Sequence, residues 1–247
     1  MPPITLCVNG HNICNICRAK LDNCPICRKR FLSTRNVGLE KLAREVKYPC
    51  TFQQFGCSAM IARDMLDEHK MNCRYGQVKC PKAESDKRAN EYWSYKSSVS
   101  CDWTGNYNEV KNHLMEKHLE MCFDYGEVEL RRLFCPRTKF WWFRKFVFVY
   151  NEVFYRHFFW KGGMFCLVVQ YIGPPENAAK YKFKVEFINE DNTEGVTVMH
   201  LTRSFDEDLD DIFKSGNCAK LQGDVVSRLK SQDVELKFKL DILRVGH

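Results

Sequence analysis

The chain has 247 residues, 28% of them charged, and a net charge of +7 that is unevenly spread, with nine Lys/Arg against three Asp/Glu in residues 1–50. That length allows two or more compact units, one with a sizeable core. Fourteen cysteines beside seven histidines, with no secretory leader expected, favour metal over disulfides and point to a reducing compartment. The most apolar stretch, residues 140–169, is interrupted by Arg144, Lys145, Glu152, Arg156 and Lys161, so the protein is read as soluble with no membrane span.

In chain order, the first candidate module is residues 1–31. Its spacing, Cys7-x3-His11-x2-Cys14-x2-Cys17-x6-Cys24-x2-Cys27, is that of the third to eighth ligands of a cross-braced, two-zinc RING finger lacking its opening pair. In a cross-brace alternate pairs share a metal. Cys7 and His11 therefore join Cys24 and Cys27 in a complete Cys3His site, and Cys14 with Cys17 form half of a second. The basic surplus in this region suits an acidic protein surface or nucleic acid, or is simply a solvated face.

Residues 32–47 form a linker whose segment 36–47 has helical period, with Val37, Leu39, Leu42, Ala43 and Val46 near one face. Residues 48–118 then hold two four-ligand sets, Cys50-x6-Cys57-x11-His69-x3-Cys73 and Cys80-x20-Cys101-x11-His113-x4-His118. The repeated x11 interval predicts a pair of zinc fingers, each with a hairpin carrying the first two ligands and a helix the last two. Buried free thiols are the alternative, and it leaves the Cys/His pairing unexplained. Lys82–Ser100 reads as a polar loop, tolerable because closure entropy grows only logarithmically with length. The segments before His69 and His113 carry too little basic or amide character to read bases, so nucleic acid is not an expected partner. Cys122, Cys135, Cys166 and Cys218 have no ligand-spaced neighbours, and Cys166 reads as a core thiol. His157 and His200 read as structural.

Residues 119–137 form a connector, and residues 138–247 read as an all-β sandwich with one or two short helices. Apolar residues alternate with charged ones in Lys180–Ile188 and in Asp233–Leu243; Gly162-Gly163 marks a hairpin, and Pro174-Pro175 closes the strand Phe165–Ile172. Asp206–Lys214 and Asp224–Leu229 read as helices, each opened by a capping Asp. No phosphate-binding glycine loop or paired catalytic carboxylates occur, so no residue is assigned a catalytic role.

Taken in order, these residues resemble the seven in absentia (Sina/Siah) family of RING-type ubiquitin ligases. The resemblance is carried by Pro2-Pro3-Ile4, Gly10-His11, Cys17-Arg18-x-Lys20-Leu21 and Cys24-Pro25-x-Cys27-Arg28 in the RING, with Arg35-Asn36 and Glu40-Lys41 in the linker. Pro49-Cys50, Gly56-Cys57, Cys80-Pro81, Cys101-x-Trp103-x-Gly105 and His113-Leu114-Met115 match the fingers, and Phe165 with Val169-Gln170-x-Ile172-Gly173 matches the sandwich. The resemblance implies small zinc-stabilised modules, a partial RING and two Siah-type fingers, followed by a TRAF-like β-sandwich that binds substrates. It implies Zn2+ as cofactor and a ubiquitin-conjugating enzyme and protein substrates as partners. Proteasomal degradation of those substrates follows, as does a homodimer, or heterodimer with relatives, through the sandwich. The location implied is the cytoplasm, with the nucleus as a further site. Pro25 and Ile26 fall in the zinc loop that touches the conjugating enzyme. Arg28 falls where the family's bridging arginine stands, the alternative being an ordinary exposed charge in Arg28-Lys29-Arg30. The absent opening Cys pair raises the alternative of a catalytically impaired adaptor or dominant-negative partner of full-length relatives. Residues 119–160 resemble the family weakly, and no peptide-groove residue is assigned.

Overall fold

The computed structural model describes residues 3–88, 101–124, 131–134, 141–230 and 235–246. They divide into two compact units, Met1–Cys73 and Arg74–His247.

The first unit opens with strands β1 (Ile4–Cys7) and β2 (Asn12–Cys14), a single helical turn α1 (Asn15–Arg18) and strand β3 (Phe31–Arg35). The three strands form one antiparallel sheet in the order β2-β1-β3. Gly10, at φ 79°, makes the β1–β2 turn, a conformation that costs glycine little. Helix α2 (Val37–Glu45) follows directly, its N-cap Asn36 accepting a bond from the Leu39 N–H at 3.0 Å. The finger after it consists of β4 (Lys47–Pro49) paired with β5 (Met60–Ala62), then α3 (Leu66–Asn72).

Two readings of this unit are corrected. Part of the 32–47 linker is strand, since β3 closes the first sheet. Helix α2 also does not bury its apolar stripe: Val37, Leu42 and Val46 are exposed, while Leu39 and Ala43 are half-buried and Glu40 is fully buried. Hydrogen bonding sets this rotation. The Ile4 N–H donates to Glu40 Oε1 (2.8 Å), Arg35 donates to both carboxylate oxygens (3.0 and 2.5 Å), and the Asn36 N–H donates to the Ile4 carbonyl (2.8 Å). A buried carboxylate with partners for its lone pairs outweighs a few methyl groups left in water.

The second unit starts with a finger built from β6 (Gln77–Lys79), α4 (Pro81–Arg88), β7 (Thr104–Asn106) and α5 (Val110–Lys117). It continues with β8 (Cys122–Asp124), β9 (Arg131–Phe134), β10 (Trp141–Val149), β11 (Glu152–Lys161), β12 (Met164–Ile172), β13 (Tyr181–Ile188), β14 (Gly195–Leu201) and β15 (Arg203–Ser204). Helix α6 (Leu209–Ser215), β16 (Ala219–Gln222), α7 (Gly223–Leu229) and β17 (Glu235–Arg244) complete it. One sheet runs β15-β12-β11-β10-β8, with β16 also on β12; the other runs β14-β13-β17-β9. The β11–β12 hairpin turns at Gly162 and Gly163, both at positive φ (58° and 78°), as a two-residue primed turn requires.

Between the sheets, Phe154, Phe158, Phe165 and Leu167 meet Phe183, Phe187, Phe238 and Leu240, all buried. Strand β13 alternates buried and half-buried residues, as its Lys/Glu spacing predicts. Strands β10–β12 do not alternate because their second face is also covered. Val110 and Leu114 of α5 pack on Phe146, Phe148, Val153 and Tyr155, and Ile212 of α6 belongs to a cluster with Phe159, Cys166 and Val168.

Three further readings are corrected here. The 119–137 connector holds β8, parallel to β10, and β9, antiparallel to β17; strands of three and four residues are too short for period to reveal. The Lys82–Ser100 loop opens as helix α4, whose Pro81 stands at its first position, where a missing N–H costs nothing. Asp86 of α4 pairs with Lys82 (3.2 Å) and with Arg144 of β10, whose guanidinium also donates to Ser85 Oγ (3.1 Å) and lies 4.4 Å from the Trp142 ring centre. Asp208 caps α6 as predicted in kind, accepting from the Asp210 and Asp211 N–H groups, but α7 begins after Gln222 with no side-chain cap. Residues 89–100, Cys135 and the start of the predicted strand at Asp233-Val234 lie outside the described residues.

Glu40 gives a test. Bonds from Arg35, then the Ile4 N–H, hold its pKa down to about 2. A lowered carboxyl pKa contributes stability above the unfolded value, lost as pH falls from about 4.5 toward 2. Glu40→Gln should therefore lower the melting temperature of the first unit by the same margin from pH 8 to pH 5. Below about pH 4.5 the margin should shrink, and one that stays constant as pH falls toward 2 would show that the charge on Glu40 is not what holds α2.

Candidate metal centres

Each complete ligand set comes together in the fold. Cys7, His11, Cys24 and Cys27 form one cluster, Cys50, Cys57, His69 and Cys73 a second, and Cys80, Cys101, His113 and His118 a third, with the ligand atoms of each within 4.8 Å of one another. A tetrahedral zinc with Zn–S of about 2.3 Å and Zn–N of about 2.05 Å requires S···S edges of about 3.8 Å and S···N edges of about 3.6 Å. The Sγ···Sγ separations are 3.7 Å for Cys7–Cys27 and 3.8 Å for Cys50–Cys73. The sulfur–nitrogen edges run from 3.2 Å (Cys50–His69) to 3.7 Å (Cys24–His11), with Cys101–His113 at 3.6 Å. The side chains thus fit Zn2+, the cofactor of this protein, at all three centres.

The local folds explain the fit. In the first centre, Cys7 ends β1 and His11 follows the Gly10 turn, so four residues of chain return the imidazole to the same sulfur, Nδ1 3.4 Å away. The His11 N–H also donates to Cys7 Sγ (3.3 Å), which fixes the turn that carries both ligands. Cys24 and Cys27 share a tight loop closed by Cys24 N–H to the Lys29 carbonyl (2.9 Å) and Arg28 N–H to the Cys24 carbonyl (2.8 Å). Burial raises the Cys24 pKa, but N–H groups of Cys27 and Ile26 more than offset it and leave it at about 7.

The two fingers use one plan. Cys50 and Cys80 follow the first strand of a hairpin, Cys57 and Cys101 precede the second, and one histidine rides the following helix, with Cys73 or His118 at its C-terminal cap. His69, His113 and His118 all present Nε2, unlike His11. Burial, then a neighbouring basic group (the His118 imidazole for His113, the Lys82 ammonium for His118), lowers both third-centre histidine pKa values and so favours the neutral rings that ligation requires. Trp103 stacks on His113 with ring centres 4.2 Å apart and fixes its orientation. Gly105 makes room, because a Cβ there would stand 2.3 Å from the Trp103 ring. Sequence spacing alone does not reveal that Trp103 and Gly105 hold the His113 ring in place.

Cys14 and Cys17 stand differently. Cys14 is half-buried at the start of α1 and Cys17 is exposed, and among the described residues no third or fourth Cys, His, Asp or Glu joins them. A bond from the Cys17 N–H lowers the Cys14 pKa to about 7, while the bond to Cys14 raises that of Cys17. Pro25, Ile26 and Arg28 lie on the outer side of the first centre. All three are exposed, Ile26 at 69%, and Arg28 takes φ 59°, a left-handed conformation closing the loop. Of the remaining thiols, Cys122 donates to the Leu114 and His118 carbonyls at 3.4 and 3.3 Å, while Cys166 and Cys218 are buried beside α6. His157 is buried and accepts a bond from Trp142 Nε1 at 3.2 Å.

Three family profiles match the chain: "E3 ubiquitin-protein ligase sina/sinah, RING finger" over residues 1–27, "Sina, zinc finger" over 41–128 and "Sina, TRAF-like domain" over 145–241. Among curated relatives, "E3 ubiquitin-protein ligase sina" of Schistosoma mansoni is 33% identical over 127 residues, 51% of this chain and 30% of that protein. The protein of the same name in Drosophila melanogaster is 34% identical over 127 residues, 36% of its length. "E3 ubiquitin-protein ligase SIAH2" of Homo sapiens is 35% identical over 128 residues, 35% of its length. The match thus spans about a third of each of these relatives.

Metal analysis of the purified chain should return about three zinc ions, one per complete cluster. Cys50→Ser and Cys80→Ser should each remove one. Because α5 is packed on the β10–β11 sheet, only Cys80→Ser should also lower the melting transition of the sandwich. Fewer than two ions in the unmodified chain, or equal effects of the two variants on the sandwich, would contradict this assignment.

Proposed function

We propose that this chain, which belongs to the Sina/Siah family, acts as a RING-type E3 ubiquitin ligase: its RING recruits a ubiquitin-conjugating enzyme, and its fingers and sandwich hold the substrate. The observation that carries the reading is the complete first zinc centre with Ile26 standing exposed on its loop. A RING supplies no nucleophile. Its contribution is orientational: it holds the thioester-linked ubiquitin where the acceptor amine can reach it, and such positioning can supply several orders of magnitude in rate.

Each residue has a part in that reading. Pro25 and Ile26 give the conjugating enzyme an apolar contact on a loop made rigid by Cys24, Cys27 and their ion. Arg28, directly after the last ligand, presents a planar guanidinium able to bond two proteins at once, the conjugating enzyme and its ubiquitin. Its left-handed backbone, at φ 59°, is held by the bond to the Cys24 carbonyl. The TRAF-like sandwich is the natural substrate platform, and family membership supports pairing with a second copy or a relative through it. Proteasomal degradation of the marked substrates, in the cytoplasm and the nucleus, completes the proposal.

A second reading has its own observation. Cys14 and Cys17 have no further ligand among the described residues, and the second reading starts from that incomplete set. A chain weakened there would bind substrates and relatives without transferring ubiquitin, as an adaptor or a dominant-negative partner.

Autoubiquitination separates the two. With a panel of conjugating enzymes, the chain should form ubiquitin conjugates that Cys24→Ser abolishes. Ile26→Ala and Arg28→Ala should each slow them about tenfold or more, in line with about 1.4 kcal/mol of lost positioning. No conjugates with any enzyme, from protein that keeps its zinc, would overturn the ligase reading and favour the adaptor.

A further inference from the structure

We propose that a groove on the second unit, where its finger meets the end of β12, binds an extended acidic peptide of a partner protein. Two clefts make up this groove. They lie side by side and share Tyr107, Ile172 and Gly173 as lining residues. The larger, of about 340 Å3, has an apolar wall that includes Val78, Pro81 and Phe205. The smaller, of about 230 Å3, is rimmed by the amides of Asn108, Asn112 and Asn151 and by Lys111. Gly173 keeps the shared floor low, since a Cβ there would stand 2.4 Å from the Tyr171 ring.

The charge balance selects the ligand. Glu152 in the smaller cleft already has Arg74 as its ion-pair partner and accepts from Tyr171 (2.9 Å) and Tyr181 (3.3 Å). Glu84 and Asp206 in the larger cleft also have partners within the protein. Lys79 in the larger cleft and Lys111 in the smaller form no ion pair among the described residues, and Lys111 Nζ rests 5.6 Å from the Phe148 ring centre. The groove therefore offers two unpaired ammonium groups and a set of amide donors around an apolar centre. The complement is a peptide with carboxylates toward both ends and an apolar side chain between them, seated against Phe205 and Val78. Burying that apolar residue supplies affinity, while the lysines supply orientation and salt dependence.

The inference rests on the proposed function only for what the captured protein is captured for. Binding is therefore read without ubiquitin transfer. The probes are two fluorescein-labelled octapeptides, one alternating glutamate and leucine, the other alternating lysine and leucine, titrated by anisotropy with the full zinc-loaded chain. The Glu/Leu peptide should bind, at least tenfold more tightly than the Lys/Leu peptide, and weaken as salt rises. Lys79→Glu with Lys111→Glu should reverse that order. Phe205→Ala should weaken the Glu/Leu peptide several-fold. Should charge reversal disturb the finger, Lys79→Gln with Lys111→Gln should still lose most of the preference, with zinc content unchanged. Equal affinity for the two peptides, a preference untouched by the lysine variants, or no binding at all would overturn the proposal, whether or not the chain is an active ligase. Displacement by a single-stranded RNA but not by unlabelled Glu/Leu peptide would overturn it too.

Discussion

The described small modules, the RING-like one and the two fingers, share one constraint: thiolates and imidazoles must close around a tetrahedral ion. In the first unit the buried apolar side chains among the described residues are Ile4, Ile13 and five cysteines of the metal clusters, Cys7, Cys24, Cys50, Cys57 and Cys73. A core of that size does not offset the entropy of ordering some seventy residues, roughly 1–2 kcal/mol each for backbone alone. Three tight loops bring ligands together here, at Gly10, at Arg28 and at Gly56, each using a left-handed residue or a bond back to a ligand carbonyl. Metal affinity in such a module is folding energy.

The same ion does different work in the second unit. Its finger covers one face of a sheet whose other face already lies in the sandwich core. Val110 and Leu114 reach that sheet from the helix that carries His113, so ligand geometry and apolar packing constrain one element. Strands β10–β12 could not carry aromatic residues on both faces without such a cover. The finger is part of the sandwich's folding unit, and the Arg144–Asp86–Lys82 cluster ties its other helix, α4, to the same sheet. A buried cluster with two cations and one carboxylate is more a means of fixing position than a source of stability.

Much of this was legible in the sequence, and the reason is chemical. Tetrahedral ligation demands particular residues at particular intervals, so the three clusters could be read from spacing. Alternation in β13 and the two glycines of the β11–β12 turn were equally explicit. What escaped were features whose signal is polar or long-range. The rotation of α2 is set by Glu40 reaching a strand thirty-six residues away, which no helical period records. Helix α4 carries too few apolar residues to show amphipathic period, and its fixed points, Ser85 and Asp86, acquire meaning only beside Arg144. Strands β8 and β9 are defined by the neighbours they join. The peptide-binding groove comes from residues that finger and sheet bring together, with lysines that sequence shows only as part of a nearly neutral region.

The two sides of the RING-like module pose the sharper physical question. In the proposed ligase reading, orientational catalysis would need the Cys24–Arg28 loop to be rigid, and that loop belongs to the complete centre. Cys24 and Cys27 brace it from within, and the bonds from Cys24 N–H to Lys29 and from Arg28 N–H to Cys24 close it from without. The Cys14–Cys17 side reaches the same centre through β2, whose pairing with β1 runs from Ile4–Cys14 to Leu6–Asn12, and through α1, whose Arg18 lies 4.3 Å from the Phe31 ring centre of β3. At the start of β1, the Glu40 carboxylate holds the Ile4 N–H. Order at Ile26 and Arg28 thus rests first on the complete centre, whose ligands Cys24 and Cys27 flank Ile26 directly, and on the two backbone bonds that close their loop.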